Sequence, residues 1–154
     1  MNARAILLTL VLSLFAASVC HAADANMGTW KLNEAKSKLV AGNPKNNTVV
    51  YAAAGDSIKV TVDGVDGAGK PTHNEWTGKF DGKDYAVTGD PTADMRAYKT
   101  VDDHTLELTT KKDGKTTSTG RIVVAADGKS RTLTLSGTDS KGKKFNSEAA
   151  YDKQ

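Results

Sequence analysis

The feature that most constrains this chain is a period-two alternation of apolar and polar residues, cut at short intervals by turns rich in glycine and aspartate. Ile58, Val60 and Val62 alternate with Lys59, Thr61 and Asp63, which turns one face to a core and the other to water. Leu106 with Leu108, Ile122 with Val124, and Leu133 with Leu135 repeat the pattern. Turn signals recur roughly every 9–14 residues, at Gly55-Asp56, Gly67-Ala68-Gly69, Asp81-Gly82-Lys83, Gly89-Asp90-Pro91, Asp102-Asp103, Asp113-Gly114-Lys115, Asp127-Gly128-Lys129 and Lys141-Gly142-Lys143. Asp-Gly favours tight hairpins because glycine adopts the positive φ they need. Such spacing holds one strand and no crossover helix, so each strand is expected to pair antiparallel with the next. Beyond residue 22 no segment repeats apolar residues at the three-and-four spacing of an amphipathic helix.

Ten strands are predicted, over about 28–32, 47–54, 57–63, 72–80, 83–88, 94–101, 104–111, 115–125, 130–138 and 143–151. A meander of that size has exposed edges unless it closes. The expected fold is therefore all-β, an antiparallel up-and-down β-barrel, with a two-sheet sandwich as its rival. One stretch breaks the rhythm, from Asn33 to Asn47. There Glu34-Ala35-Lys36 can form a helical turn before Gly42 and Pro44, making a candidate lid over one end.

The beginning of the chain reads as an export signal. Arg4 supplies a positive n-region, the run from Ala5 through Ala17 an apolar h-region too short to span a membrane, and Cys20-His21-Ala22 the small residues that signal peptidase reads. Cleavage is expected between Ala22 and Ala23, which divides the chain into a signal peptide (1–22) and one β-barrel domain (23–154). Ala17-Ser18-Val19 is a poor lipobox, so Cys20 is not read as a lipid anchor. The expected location is periplasmic or secreted. The mature domain then has no cysteine for a disulfide, and its stability must come from its core.

Loss of Arg4 leaves 20 basic and 18 acidic side chains. So even a balance argues against nucleic acid as a partner, because phosphate-binding domains concentrate cations on one face. The basic cluster Lys141–Lys144 falls in a turn. Gly64–Lys70 and Gly137–Lys143 nearly spell a phosphate-binding loop, but Pro71 and Lys144 follow where Ser or Thr should ligate magnesium and open a helix. Two histidines, His73 and His104, remain after cleavage, with no cysteine and no nucleophile elbow, so no catalytic residues are assigned and no enzyme is expected. His73 and Glu75 share a strand face, but two ligands are fewer than a zinc site uses, so neither metal nor cofactor is assigned.

Gly28-Thr29-Trp30-Lys31-Leu32 resembles the Gly-x-Trp opening shared by lipocalins and intracellular fatty-acid-binding proteins, and Tyr151-Asp152-Lys153 is similar to the Tyr-x-Lys close of the latter. The whole sequence also looks like a group of exported bacterial proteins with this opening and hairpin series. The resemblance implies a calycin-type barrel in which Trp30 plugs one end and Tyr151 helps to hold a ligand carboxylate. The sequence departs from both patterns. Ala149 stands where the fatty-acid-binding pattern has an arginine, the Asn33–Asn47 segment is too short for that family's helical portal, and neither the lipocalin Thr-Asp-Tyr triplet nor its late arginine has an evident counterpart.

Parity along the strands gives the candidate interior: Val49-Tyr51-Ala53, Trp76-Gly78-Phe80, Tyr85-Val87 and Phe145-Ser147-Ala149-Tyr151. Strand 94–101 is ambiguous, since Arg96-Tyr98 and Met95-Ala97 make opposite choices. The candidate ligand-binding set is Tyr51, Trp76, Tyr85, Arg96, Tyr98 and Tyr151, around space left by Ala53, Gly78 and Ala149. Two functions stay open: a monomeric exported carrier of a small amphipathic molecule without a membrane anchor, or a filled barrel acting through its surface as an envelope structural protein or an inhibitor of a secreted protein.

Overall fold

The computed structural model describes residues 22–139 and 142–154; the export signal expected over 1–22, including Cys20, lies almost wholly outside these, as does Lys141 of the last turn. A short helix α1 (Ala22–Asn26) leads into β1 (Gly28–Leu32). Nine further strands follow: β2 (Lys45–Ala54), β3 (Ser57–Val65), β4 (Pro71–Gly78), β5 (Tyr85–Thr88), β6 (Met95–Asp102), β7 (Thr105–Lys112), β8 (Lys115–Val124), β9 (Ser130–Thr138) and β10 (Lys144–Lys153). Every neighbouring pair is antiparallel, and β1 pairs with both β2 and β10, closing a ten-strand barrel. Closure decides between barrel and sandwich, since it leaves no edge strand.

The hairpins form where turn chemistry demands them. Lys112 pairs with Lys115 across Asp113-Gly114, whose φ values of 50° and 74° are both positive, as a type I′ turn requires. The strands between the turns are rich in Val, Thr, Ile and Leu, which suit a pleated surface with one buried face.

Alternation sends Trp30, Val49, Tyr51, Val60, Val62, Trp76 and Val87 inward from one side. Tyr98, Leu106, Leu108, Ile122, Val124, Ala149 and Tyr151 meet them from the other. Trp30, Val60 and Leu106 are fully buried, each such side chain contributing about 1.5–3 kcal/mol by leaving water. Ala53, expected inward, is exposed: it pairs with Ile58 at the hairpin end of β2, past the layers the core fills.

Non-strand segments lie at both barrel ends. Helix α1 leaves β1 and packs against β6, which lies diametrically opposite β1 in the strand ring, so the helix crosses that end. The Asn33–Asn47 segment contains the expected helical turn, a single 3-10 turn at Glu34–Lys36 capped by the Asn33 side chain. Rather than crossing the opposite mouth, its start follows β10: Lys38 bridges Glu148, Asn33 Nδ2 donates to Asp152 at 2.7 Å, and Ala150 N donates to Ser37 Oγ at 2.9 Å. Leu39 then turns in against the core. This segment extends the backbone pairing of β10 beyond the short β1–β10 seam.

Candidate functional site

The most unusual group inside the barrel is Arg131. It has the parity of Leu133 and Leu135 and so points inward from β9, opposite Tyr151 of β10 and Val124 of β8. Only 4% of the residue is exposed. Its guanidinium carbon lies 4.7 Å from the Trp30 ring centroid, 4.8 Å from that of Tyr51 and 5.1 Å from that of Tyr151, so three π faces stabilise the charge. Nη1 donates to Asn26 Oδ1 at 3.2 Å, and the backbone oxygen of the same fully buried Asn26 accepts from Trp30 Nε1 at 2.7 Å. Nε has no hydrogen-bond partner. Among the described residues no carboxylate lies within ion-pair range of Arg131. Arg131 thus lies over the Trp30 ring, a place for which the sequence offered no evident arginine.

Three buried phenols surround this cation. Tyr51 and Tyr151 face it directly, and Tyr98 lies 6.3 Å from Tyr51 between ring centroids. Burial pushes the Tyr151 hydroxyl up to about 12, against the pull of Arg131. Burial likewise raises Tyr98, with Tyr51 adding to the rise and Arg96 opposing it.

From Tyr98 the aromatic packing continues outward. Trp76 is 4.9 Å from Tyr98 and 5.7 Å from Tyr85, both edge-on, and Phe80 sits 5.4 Å from Tyr98. Trp76 Nε1 is fixed by donating to Arg96 O at 2.8 Å. These rings occupy the room expected beside Gly78: a Cβ there would fall 2.5 Å from the Tyr85 ring and 2.7 Å from that of Trp76. Of the space attributed to Ala53, Gly78 and Ala149, the room beside Gly78 is taken by aromatic rings, and Ala53 lies exposed past the core layers. Parity tells which way a ring points, not how far it reaches.

On β6 the Arg96-Tyr98 choice holds, with both side chains buried and inward. Unlike Arg131, Arg96 is matched. Nη2 donates to Asp90 Oδ2 at 3.0 Å and to Asn74 Oδ1 at 3.2 Å. Asp90 is positioned by its own loop, its other oxygen accepting from Thr92 N and Oγ1. Burial works against the Arg96 charge, but Tyr98, Asp90 and Tyr51 outweigh it and hold the guanidinium above its ordinary pKa.

Of the six candidate residues, Tyr51, Trp76, Arg96, Tyr98 and Tyr151 meet in the interior, and Tyr85 is half-buried beside them. Sequence reasoning missed Arg131, Asn26 and Asp90. The parity of Leu133 and Leu135 could have found the first. Outside the barrel, His73 Nδ1 lies 2.7 Å from Asp63 and Nε2 lies 3.6 Å from Glu75, whose carboxylate also takes Lys59 at 2.7 Å. The hydrogen bond that Asp63 accepts raises the pKa of His73. His104 lies exposed in the β6–β7 turn. Two open depressions, of about 370 and 290 Å³, lie along β7–β10 and are lined largely by Thr, Ser and charged side chains.

No family model matches the chain, and no curated protein matches it. Among solved structures it is similar to one titled "Structure of EF1p2_mFAP2b bound to DFHBI", with a TM-score of 0.54 and 9% identity over 89% of this chain and all of that one. At that identity the likeness shows the fold alone, a closed antiparallel β-barrel.

Proposed function

We propose that this chain is an exported, non-enzymatic binding protein for a small, largely apolar molecule with an acidic head group. The observation that carries the reading is Arg131, a buried cation with an unpartnered Nε and no carboxylate partner among the described residues. A core built for stability alone gains little from such a group, because desolvating an unmatched charge costs several kcal/mol. An arginine surrounded by phenols can instead meet a carboxylate or similar anion through charge-assisted hydrogen bonds. Arg96, matched by Asp90, is the weaker candidate for that contact. The calycin-like fold supports the reading at the level of architecture, and the similar solved barrel is described as bound to DFHBI.

Entry requires the aromatic packing to open. β5 pairs through only two register positions on each flank, it begins at the half-buried Tyr85, and the half-buried Phe80 stacks on Trp76. Small side-chain and strand shifts there would lead to Trp76. The test is a titration of purified protein with medium-chain fatty acids, isoprenoid acids and aromatic acids, followed by tryptophan emission, each compared with its methyl ester. Saturable change with the acid and weaker change with the ester supports the reading.

The second reading, a filled barrel acting through its surface, is favoured by the rings packed over Gly78. A flat titration with every compound would favour it. In both readings the protein is a monomer in the periplasm or secreted, with no nucleic-acid partner. N-terminal sequencing that starts at Ala23 supports cleavage after Ala22, and a lipidated Cys20 at the mature terminus refutes that cleavage.

A further inference from the structure

The buried guanidinium of Arg131 lies at the barrel end crossed by α1, and α1 itself supplies its hydrogen-bond partner. Asn26, the last residue of the helix and 0% exposed, accepts from Arg131 Nη1 through Oδ1 at 3.2 Å and from Trp30 Nε1 through its backbone oxygen at 2.7 Å. The rings of Trp30, Tyr51 and Tyr151 stand around the same cation, 4.7, 4.8 and 5.1 Å from its central carbon. An anion approaching from this end therefore meets Asn26 before it meets the charge. We propose that Asn26 is an internal stand-in for the ligand's acidic group and that α1 gates the Arg131 site: an acid takes the place of Oδ1 on the guanidinium and swings α1 off the barrel end. The gate rests on the reading of Arg131 as an anion site. It leads to that cation directly, whereas a path beside β5 leads to Trp76.

The exchange favours the acid. Oδ1 is a neutral amide oxygen, and an ionised acceptor makes a hydrogen bond to guanidinium that is roughly twice as strong. Once Asn26 withdraws, the planar end of the guanidinium can hold a carboxylate through two parallel bonds, which one amide oxygen cannot match. A ligand shifts a conformational equilibrium only by binding one state better, and the state with α1 displaced is the one that offers this contact.

α1 is also lightly held. Five residues are too few for a helix that is stable by itself. Asp24 is exposed, Ala25 and Met27 are partly buried against the core, and Asn26 is the side chain that goes fully inside. The closing backbone bond, Met27 N to Asp24 O at 3.2 Å, is internal to the segment. At the other barrel end, by contrast, the Asn33–Asn47 segment is stitched to β10 by paired backbone bonds between Lys38 and Glu148. Gly28 joins α1 to β1 at a φ of 103°, a backbone conformation open to glycine, so the swing has a hinge where the segment enters the barrel.

Hydrogen–deuterium exchange read by mass spectrometry tests the gate, on the purified protein with and without decanoate, with methyl decanoate as the uncharged control. Bound ligands ordinarily slow exchange; here decanoate should speed it several-fold over residues 25–30, and the ester should not. Asn26→Asp ties a carboxylate to the guanidinium and should weaken decanoate binding by about tenfold or more, because a tethered group competes at high effective concentration. Asn26→Ala removes the stand-in, so exchange over 25–30 should quicken without ligand and decanoate should bind more tightly, since the site no longer starts closed. That variant and the exchange measurement carry the test if Asn26→Asp does not fold. Decanoate bound to the unaltered chain with unchanged or slowed exchange over 25–30 would overturn the gate and leave the binding reading standing, as would undiminished affinity in folded Asn26→Asp. Binding to Asn26→Ala alone would support the gate, and no binding to either chain would remove gate and binding reading together.

Discussion

Replacing Trp30 should remove the strongest single fastening of the α1 end of the barrel. The side chain is fully buried, lies under the Arg131 guanidinium at 4.7 Å, has the Lys153 ammonium 5.2 Å from its ring, and donates from Nε1 to the fully buried Asn26. Trp30→Ala loses a large core ring, about 3–5 kcal/mol. It also loses the hydrogen bond from Nε1 to the Asn26 carbonyl, about 1 kcal/mol more. A total of about 4–6 kcal/mol is a large share of the ~5–15 kcal/mol that holds a domain together. With a urea slope of about 1.5 kcal/mol/M, the midpoint should fall by about 3 M. Trp30→Phe, which keeps a ring but not the N–H, should fall by about 1–3 kcal/mol. Circular dichroism reports the melts, with Trp76 emission as a second probe. An unchanged midpoint and slope in Trp30→Ala would refute the buried-plug account.

Other expectations follow from the same geometry. Gly78→Val puts carbon into the space of the Tyr85 and Trp76 rings and should cost about 1–3 kcal/mol by overpacking; full tolerance in a urea melt would mean that the rings do not occupy that room. Tyr151 ionises near 10 in the unfolded chain but at about 12 when buried, so the unfolded state loses its proton first and stability falls as pH rises across that window, by roughly 3 kcal/mol. Tyr151→Phe should flatten that part of the alkaline stability curve, and an equally steep curve would contradict the assignment. His73 has a raised folded pKa because of Asp63, so its small contribution to stability is complete below about 6.5 and lost as pH rises through the folded value. A nuclear magnetic resonance titration should show that value moving back toward normal in Asp63→Asn.

The strands were legible because alternation and Asp-Gly turns are local signals: β1 and β9 fall on the residues their pattern predicts, and the others shift at their ends. The ambiguity on β6 was of another kind. Arg96 and Ala97 have opposite parity, and both are buried; only the Asp90 loop folding back over the barrel explains why the charged residue takes the inward place. The Arg131 site was harder still, because it brings together Asn26, Trp30, Tyr51, Arg131 and Tyr151 from α1 and four strands. The register of a closed barrel makes that meeting, and no local pattern contains it. Hydropathy scans also pass over arginine in a core, although its parity with Leu133 and Leu135 was visible.

The central claim is that this interior receives a small acidic molecule, and native mass spectrometry of the protein purified from its own host tests it most directly. The account predicts a mass above that of the bare chain, lost on denaturation, with the released compound ionising as an anion and rebinding to stripped protein with saturable change in tryptophan emission. A bare mass in gentle conditions, together with no emission change on adding any of the acids, would contradict it.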